Sequence, residues 1–307
     1  MRRGIYIVAN DKVSENAIAL LNSIRFYDPD TEVFLIPFND DHQTVFAELQ
    51  KRHNVQLFPD LDFLNQFTDT IANIFDRDFL ALPNKMRKLV AWSGPLDEFL
   101  YIDTDIIVFE KIANVMDHLA EAEFLCCDFH FKGRGLNDVF SPLVKEQGLF
   151  SDEQLQDVFN SGFWASKKSA LPLERMVELL RECAAHREYF DFSRQTTDQP
   201  IMNYLVLKSM PRRVNLVKLR SNEPGSWAGS PNFQEKDHIL YDRGTPLRYL
   251  HWAGTSMKPG SPYRDLWEHY RYLHEPRPVT TEPPEPTPSP WQMLTRKVTR
   301  KIKNTFQ

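Results

Sequence analysis

The amino-terminal third of the chain sets short β-rich runs between segments of helical spacing. "IYIVA" (5–9), "EVFLIPF" (32–38), "VQLF" (55–58) and "FLYI" (99–102) read as strands. Between the first two, Ser14 reads as a helix cap followed by Ile18, Leu21 and Ile24 at helical spacing, and "YDPD" (27–30) as a turn. Residues 41–52 and 83–92 read as further helices. Strands alternating with helices predict an α/β chain with a mostly parallel sheet covered on both faces. In such sheets ligands bind beyond the carboxyl ends of the strands.

One strand reaches such an end with two charges. "FLYIDTDIIVFE" (99–110) places Asp103 and Asp105 inside an apolar run. Burying an unpaired carboxylate is costly, and two like charges are worse. In extended chain, residues i and i+2 face one side, so both carboxylates can meet at one point. Paired hard oxygens suit Mg2+ or Mn2+ better than a soft metal.

The middle of the chain is less regular. "EFLCCDF" (123–129), "FNSGFWAS" (159–166) and "LRYLHWAG" (247–254) read as strands, residues 172–189 as a long helix, and 221–237 as a polar loop. The three cysteines, Cys126, Cys127 and Cys183, form no CxxC pair. They read as small buried hydrophobes in a reducing compartment, not as a zinc site or disulfide framework. Only a short apolar run follows the two amino-terminal arginines, and no stretch reaches the ~18 apolar residues of a membrane span.

Composition changes after His274. Residues 276–290 hold seven of the 21 prolines and read as an extended spacer. Residues 291–307 carry five basic residues and no acid; removing that +5 from the net −5 leaves −10 on the rest. Trp291, Leu294, Val298, Ile302 and Phe306 recur at helical spacing, predicting an amphipathic helix on an anionic membrane surface. The expected organisation is a main α/β domain over 1–275, a linker over 276–290 and a basic tail over 291–307. A general nucleic-acid binder is not expected from so acidic a body. The expected location is cytoplasmic, with peripheral attachment to the cytoplasmic membrane face.

Further stretches share an order with a known family: "VANDK" (8–12), "KLVAW" (88–92), "YIDTD" (101–105), "FNSG" (159–162), "DQPIMN" (198–203) and "HWAGTSMKP" (251–259). Together they resemble, over roughly residues 4–260, the family 8 glycosyltransferases, the class of glycogenin, galactinol synthase and lipopolysaccharide galactosyltransferases. The resemblance implies the GT-A nucleotide-diphospho-sugar transferase fold, a single mostly parallel Rossmann-like sheet flanked by helices. It also implies a retaining, metal-dependent hexosyltransferase that uses a nucleotide sugar, with UDP as the expected carrier, and a glycan or lipid-linked acceptor.

By that resemblance Asp103, Asp105 and His251 hold Mn2+ or Mg2+. Ala9, Asn10, Asp11, Lys88, Thr104, Gly254 and Lys258 face the nucleotide, and Asn160, Asp198 and Gln199 face the transferred sugar. Two departures stand out. Three residues, Thr255 to Met257, separate Gly254 from Lys258 where the family has two, and Pro200 follows Gln199 where members often carry Asp. Retention by double displacement calls for a nucleophile such as Asp198 or Gln199; a front-side path calls for none. Asp198 can instead cap its own helix. Trp227, Trp252 and Trp267 are candidates for stacking on sugar rings or for core packing.

Two other readings compete. A sugar-phosphate nucleotidyltransferase would carry a Gly-rich phosphate loop after the first strand, and "VANDKVSENA" has no glycine. A non-catalytic nucleotide-sugar or carbohydrate-binding protein would share the fold and the ligand.

Overall fold

In the computed structural model of the chain, residues 1–132, 135–193 and 196–278 are described. Four strands with parallel neighbours open the sheet: β1 (Arg3–Ala9), β2 (Glu32–Pro37), β3 (Gln56–Leu57) and β4 (Glu98–Ile102). β5 (Ile106–Val108) leaves this sheet. β6 (Phe124–Cys126), β7 (Phe163–Lys167) and β8 (Arg213–Asn215) complete it in the order β3-β2-β1-β4-β7-β6-β8. Only β7 runs against its neighbours β4 and β6. Its start therefore lies at the edge where β4 and β6 end.

The sheet buries both faces, as parallel strands do. Alternation along β4 sends Phe99 and Tyr101 into one core and Leu100 and Ile102 into another. The first core is aromatic. Trp164 stacks on Trp92 at 4.6 Å and on Tyr101 at 5.2 Å between ring centres. The second is aliphatic, with Ile5, Ile7, Val33, Leu35 and Leu125. Each such side chain contributes roughly 1.5–3 kcal/mol of burial, which fixes the height at which each strand ends.

Helices α1 (Ser14–Tyr27) and α2 (Gln43–His53) follow β1 and β2. A 3-10 turn over Asp11–Val13 runs directly into α1, so Ser14 is its first residue and makes no capping bond. α3 (Leu61–Ile74), unread in the sequence, is capped by Asp60, whose carboxylate accepts the Phe63 N–H at 2.8 Å. Pro83–Ser93 is 3-10 helix rather than α-helix. Two single turns follow, α4 (Leu143–Glu146) and α5 (Asp152–Leu155). The stretch expected as one helix over 172–189 divides at His186 into α6 (Leu173–Ala185) and a 3-10 turn, Arg187–Tyr189. α7 (Asp198–Ser209) follows it.

Beyond the main sheet, β9 (Gln234–Lys236), β10 (Ile239–Asp242) and β11 (Thr245–Pro246) form a small antiparallel sheet. The segment expected as loop to residue 237 thus ends in a strand. Its residues are exposed, so no apolar alternation announced it. β12 (Tyr249–His251) pairs antiparallel with β5, setting His251 opposite Ile106. α8 (Arg264–Arg271) buries Leu266, Trp267 and Tyr270 in a third cluster with Ile107, Leu250 and Trp252.

The three cysteines are free and buried. No helix among the described residues is long and apolar enough to cross a membrane. Met1–Leu273 forms one compact unit, and a second begins at His274. The linker beyond residue 278 and the tail over 291–307 lie outside the described residues.

Candidate active site

The strand expected to carry both aspartates in extended form ends before the first of them. β4 ends at Ile102, and Asp103 to Asp105 turn into β5. The carboxylates converge because the chain turns there, not by strand alternation. The turn is pinned from both sides. The Asp103 N–H donates to the Gly162 carbonyl at 2.8 Å, and the Trp252 N–H to the Asp105 carbonyl at 3.0 Å.

β12 delivers His251 to this turn. Its Nε2 lies 3.2 Å from Asp105 Oδ1. One ligand atom each from Asp103, Asp105 and His251 fall within 4.8 Å of one another. Two carboxylate oxygens and an imidazole nitrogen at this spacing fit a hard divalent cation. Gly162 makes the approach possible: a Cβ there would stand 2.4 Å from His251 Cε1 and 2.8 Å from Asp103 Oδ2. Burial disfavours the imidazolium, but Asp105 and Asp103 outweigh it and raise the His251 pKa. In return His251 lowers the carboxyl of Asp105 against its own burial.

A second cluster adjoins the first through Lys88. Its Nζ is 3.4 Å from Asp103 Oδ1, 2.8 Å from Asp198 Oδ2, and donates to the Ser161 carbonyl at 3.2 Å. Asp198 Oδ2 also accepts from Ser161 Oγ at 2.5 Å, and Tyr101 donates to Asp103 Oδ1 at 2.6 Å. The ring stack that locks Tyr101 thus orients Asp103 as well. Burial works against the charge on Lys88, yet Asp103 and Asp198 raise its pKa. Lys88 in turn holds the buried Asp198 carboxyl below its ordinary value. Asp198 is the first residue of α7 after Thr197, and its carboxylate engages Lys88 and Ser161.

Asn160 stands at the entry to β7, which begins at Phe163 rather than at residue 159. Its Oδ1 accepts the Gly162 N–H at 2.9 Å, bending the segment before the strand. Asn203 fixes the same segment, exchanging two bonds with the Phe159 backbone, at 2.9 and 2.8 Å. Gln199, partly exposed, follows Asp198 and gives its carbonyl to Asn203.

Sequence reasoning missed Asp128, although a signal was there. "EFLCCD" (123–128) repeats the pattern of "EFLYID" (98–103), and both stretches deliver an aspartate to the same sheet edge. Asp128 Oδ2 accepts the Asn160 N–H at 3.2 Å, and burial raises its pKa. Asn215 holds its backbone by bonds of 3.1 and 2.8 Å.

Other expected residues have structural roles or stand apart. Ala9, which ends β1, accepts the Phe38 N–H through its carbonyl, and Asn10 is buried. The Asp11 carboxylate accepts the Val45 N–H at 2.8 Å and so caps α2 from outside the helix. Thr104 lies partly exposed in the aspartate turn. Gly254 has φ +65°, a conformation that favours glycine. Lys258 is exposed beyond it, and among the described residues no contact joins its side chain to Asp103, Asp105 or His251. Trp252 and Trp267 are core residues; Trp227 is half exposed.

The structure is similar to that of WbbM, a bifunctional glycosyltransferase in its apo form, with TM-score 0.58 and 16% identity. The match covers 96% of this chain and 51% of WbbM, so this chain spans about half of that protein. It is also similar to the galactosyltransferase LgtC in complex with donor and acceptor sugar analogues, with TM-score 0.55 and 17% identity over 92% of this chain and 98% of LgtC. The chain has the GT-A fold. A third similar structure is the glycosyltransferase GlyE of Streptococcus pneumoniae TIGR4, with TM-score 0.51 and 16% identity over 88% of this chain and 60% of GlyE. No family model and no curated protein sequence matches the chain.

Proposed function

We propose that the chain is a metal-dependent, retaining glycosyltransferase of the family 8 kind. It moves a hexose from a nucleotide-diphosphate sugar, with UDP as carrier, to a glycan or lipid-linked acceptor. The observation that carries this reading is the meeting of Asp103, Asp105 and His251 at the carboxyl edge of a GT-A sheet, with Lys88 joining Asp103 to Asp198.

Asp103, Asp105 and His251 would hold Mn2+ or Mg2+. The ion supplies Lewis-acid stabilisation of the charge that grows on a leaving diphosphate, typically several kcal/mol. The surrounding residues prepare the site. Tyr101 and Lys88 fix Asp103, and His251 keeps Asp105 ionised. Lys88 and Ser161, the residue after Asn160, hold Asp198 as a carboxylate. Asp198 is proposed to accept from sugar hydroxyls, with the Lys88 cation balancing its charge. Ala9 and Asn10, with Asp11 bracing α2, shape the end of β1 where the base and ribose are proposed to lie. Thr104, Gln199 and the Gly254–Lys258 loop complete the proposed donor pocket.

The tail over 291–307 is proposed to bind an anionic membrane surface, where each basic residue contributes about 1 kcal/mol or less at physiological salt. The chain is then a cytoplasmic protein attached to the membrane surface, with no nucleic-acid partner.

Incubation with a panel of nucleotide sugars and Mn2+, followed by assay of the released nucleoside diphosphate, tests the proposal. Slow hydrolysis of one donor is expected, abolished by EDTA and by Asp105→Asn. Turnover by metal-free Asp105→Asn protein at the wild-type rate would overturn it. Binding of a donor without hydrolysis or transfer to any acceptor would favour the non-catalytic reading.

A further inference from the structure

Trp227 is half exposed, whereas Trp92, Trp164, Trp252 and Trp267 are each 4% exposed or less. Single exposed apolar side chains are ordinary and by themselves signify nothing. This indole differs in being held. Its Nε1 donates to the Ala253 carbonyl at 3.0 Å. Its ring lies against Gly229, where a Cβ would stand 2.3 Å from the nearest ring carbon. Any side chain at residue 229 would push the ring away.

The backbone of Trp227 is fixed too, and to a residue of the site. Ser226 accepts the His251 N–H at 2.7 Å, and the Ala228 N–H donates to the His251 carbonyl at 2.9 Å. Trp227 and His251 are thereby bridge partners on adjacent extended segments. Partners in such a pair project to the same side. The bridge sets the Trp227 backbone beside that of His251, and the indole reaches to Ala253, next to Gly254.

A rigid, half-exposed indole beside a polar site suits a pyranose ring, whose C–H face packs on an aromatic face while its hydroxyls stay wet. Most residues proposed to face the donor come from the main sheet and its crossovers: Ala9 to Asp11 at the end of β1, Asp103 after β4, Asn160 before β7 and Asp198 opening α7; the Gly254–Lys258 loop after β12 is the exception. Trp227 enters from outside that sheet, on a segment bonded to β12. We infer that Trp227 is the stacking platform for a pyranose ring of the acceptor, which makes the acceptor a glycan end rather than a protein hydroxyl or a bare lipid phosphate. This rests on the reading of the chain as a glycosyltransferase.

The test uses the full chain with Mn2+ and UDP on an array of free and lipid-linked oligosaccharides, comparing wild type, Trp227→Ala and Trp227→Tyr. Wild type is expected to retain a subset of glycans, Trp227→Ala to bind them about tenfold more weakly, and Trp227→Tyr to stay near wild type. With the donor and acceptor found, Trp227→Ala should raise KM for the acceptor about tenfold and KM for the donor less than twofold. Thermal unfolding of all three proteins separates loss of binding from loss of fold. Glycan binding lost only in Trp227→Ala supports the platform even if no nucleotide sugar is turned over, in which case the transferase reading alone has failed. No glycan bound by wild type, equal binding by Trp227→Ala, or a rise confined to the donor KM overturns it.

Discussion

Lys88 Nζ lies 2.8 Å from Asp198 Oδ2, and the two side chains are only 7% and 13% exposed. The pair spans two parts of the site, because Lys88 also reaches Asp103 and Asp198 also binds Ser161. Breaking a buried pair leaves one charge uncompensated, at a typical cost of about 3–5 kcal/mol. Lys88→Met should destabilise the protein by about that amount. Lys88→Met combined with Asp198→Leu should cost less than the sum of the single changes. Urea unfolding of the four proteins measures the coupling; additive losses would show that the pair does not act as a unit.

Gly162→Ala should damage the proposed metal site more than the fold. The added methyl would stand against His251 Cε1 and Asp103 Oδ2 and drive two of the proposed ligands apart. Changes that disturb ligand orientation typically cost about 10–100-fold in metal affinity. Calorimetric titration with Mn2+ should show a loss in that range, with a small shift in unfolding temperature.

Asp28 sets an acid limit on stability. It is 1% exposed at the end of α1, accepts the Thr31 N–H at 3.2 Å and the Thr31 hydroxyl, and lies 3.5 Å from Lys111. Burial would raise its carboxyl, but the Thr31 bonds and Lys111 lower it below the ordinary 3.8. A lowered carboxyl stabilises the fold fully above its unfolded value and loses that contribution as pH falls through the folded one. Asp28→Asn should therefore cost stability at neutral pH, by about 1.5–3 kcal/mol for hydrogen bonds to a charged group. The difference from wild type should shrink below pH 3.8. Denaturant midpoints at neutral and acid pH measure it.

Removal of residues 276–307 should leave donor hydrolysis intact and abolish binding to anionic liposomes. The deleted segment holds the five basic residues of the tail. Sedimentation with phosphatidylserine vesicles at low salt measures the difference; equal sedimentation of both proteins would exclude membrane attachment through the tail.

The strands with apolar runs were legible in sequence because parallel strands bury both faces. "EVFLIPF" and "FLYI" lie within or overlap β2 and β4. Asp103, Asp105 and His251 were legible as a set through the order of their motifs, and the structure brings them together. What failed was reasoning that needed a third dimension. The aspartates meet through a turn, and β9 has an exposed surface without an apolar period. Asp128 carried the same local pattern as Asp103, but only the placement of β4 and β6 on either side of β7 shows that both end at one edge. Trp252 and Trp227 look alike in sequence; the residues beneath them separate a core indole from an exposed one.

The pairing of β5 with β12 joins residues 106–108 to residues 249–251. Such a contact closes a loop of well over a hundred residues and belongs to the slow, non-local part of folding. During synthesis the two aspartates leave the ribosome long before His251, so a nascent chain carries an incomplete set of the proposed ligands until β12 docks. On the proposed reading, tight metal capture would report that β12 has docked, and a fragment ending before residue 249 would lack that signal however well its main sheet forms.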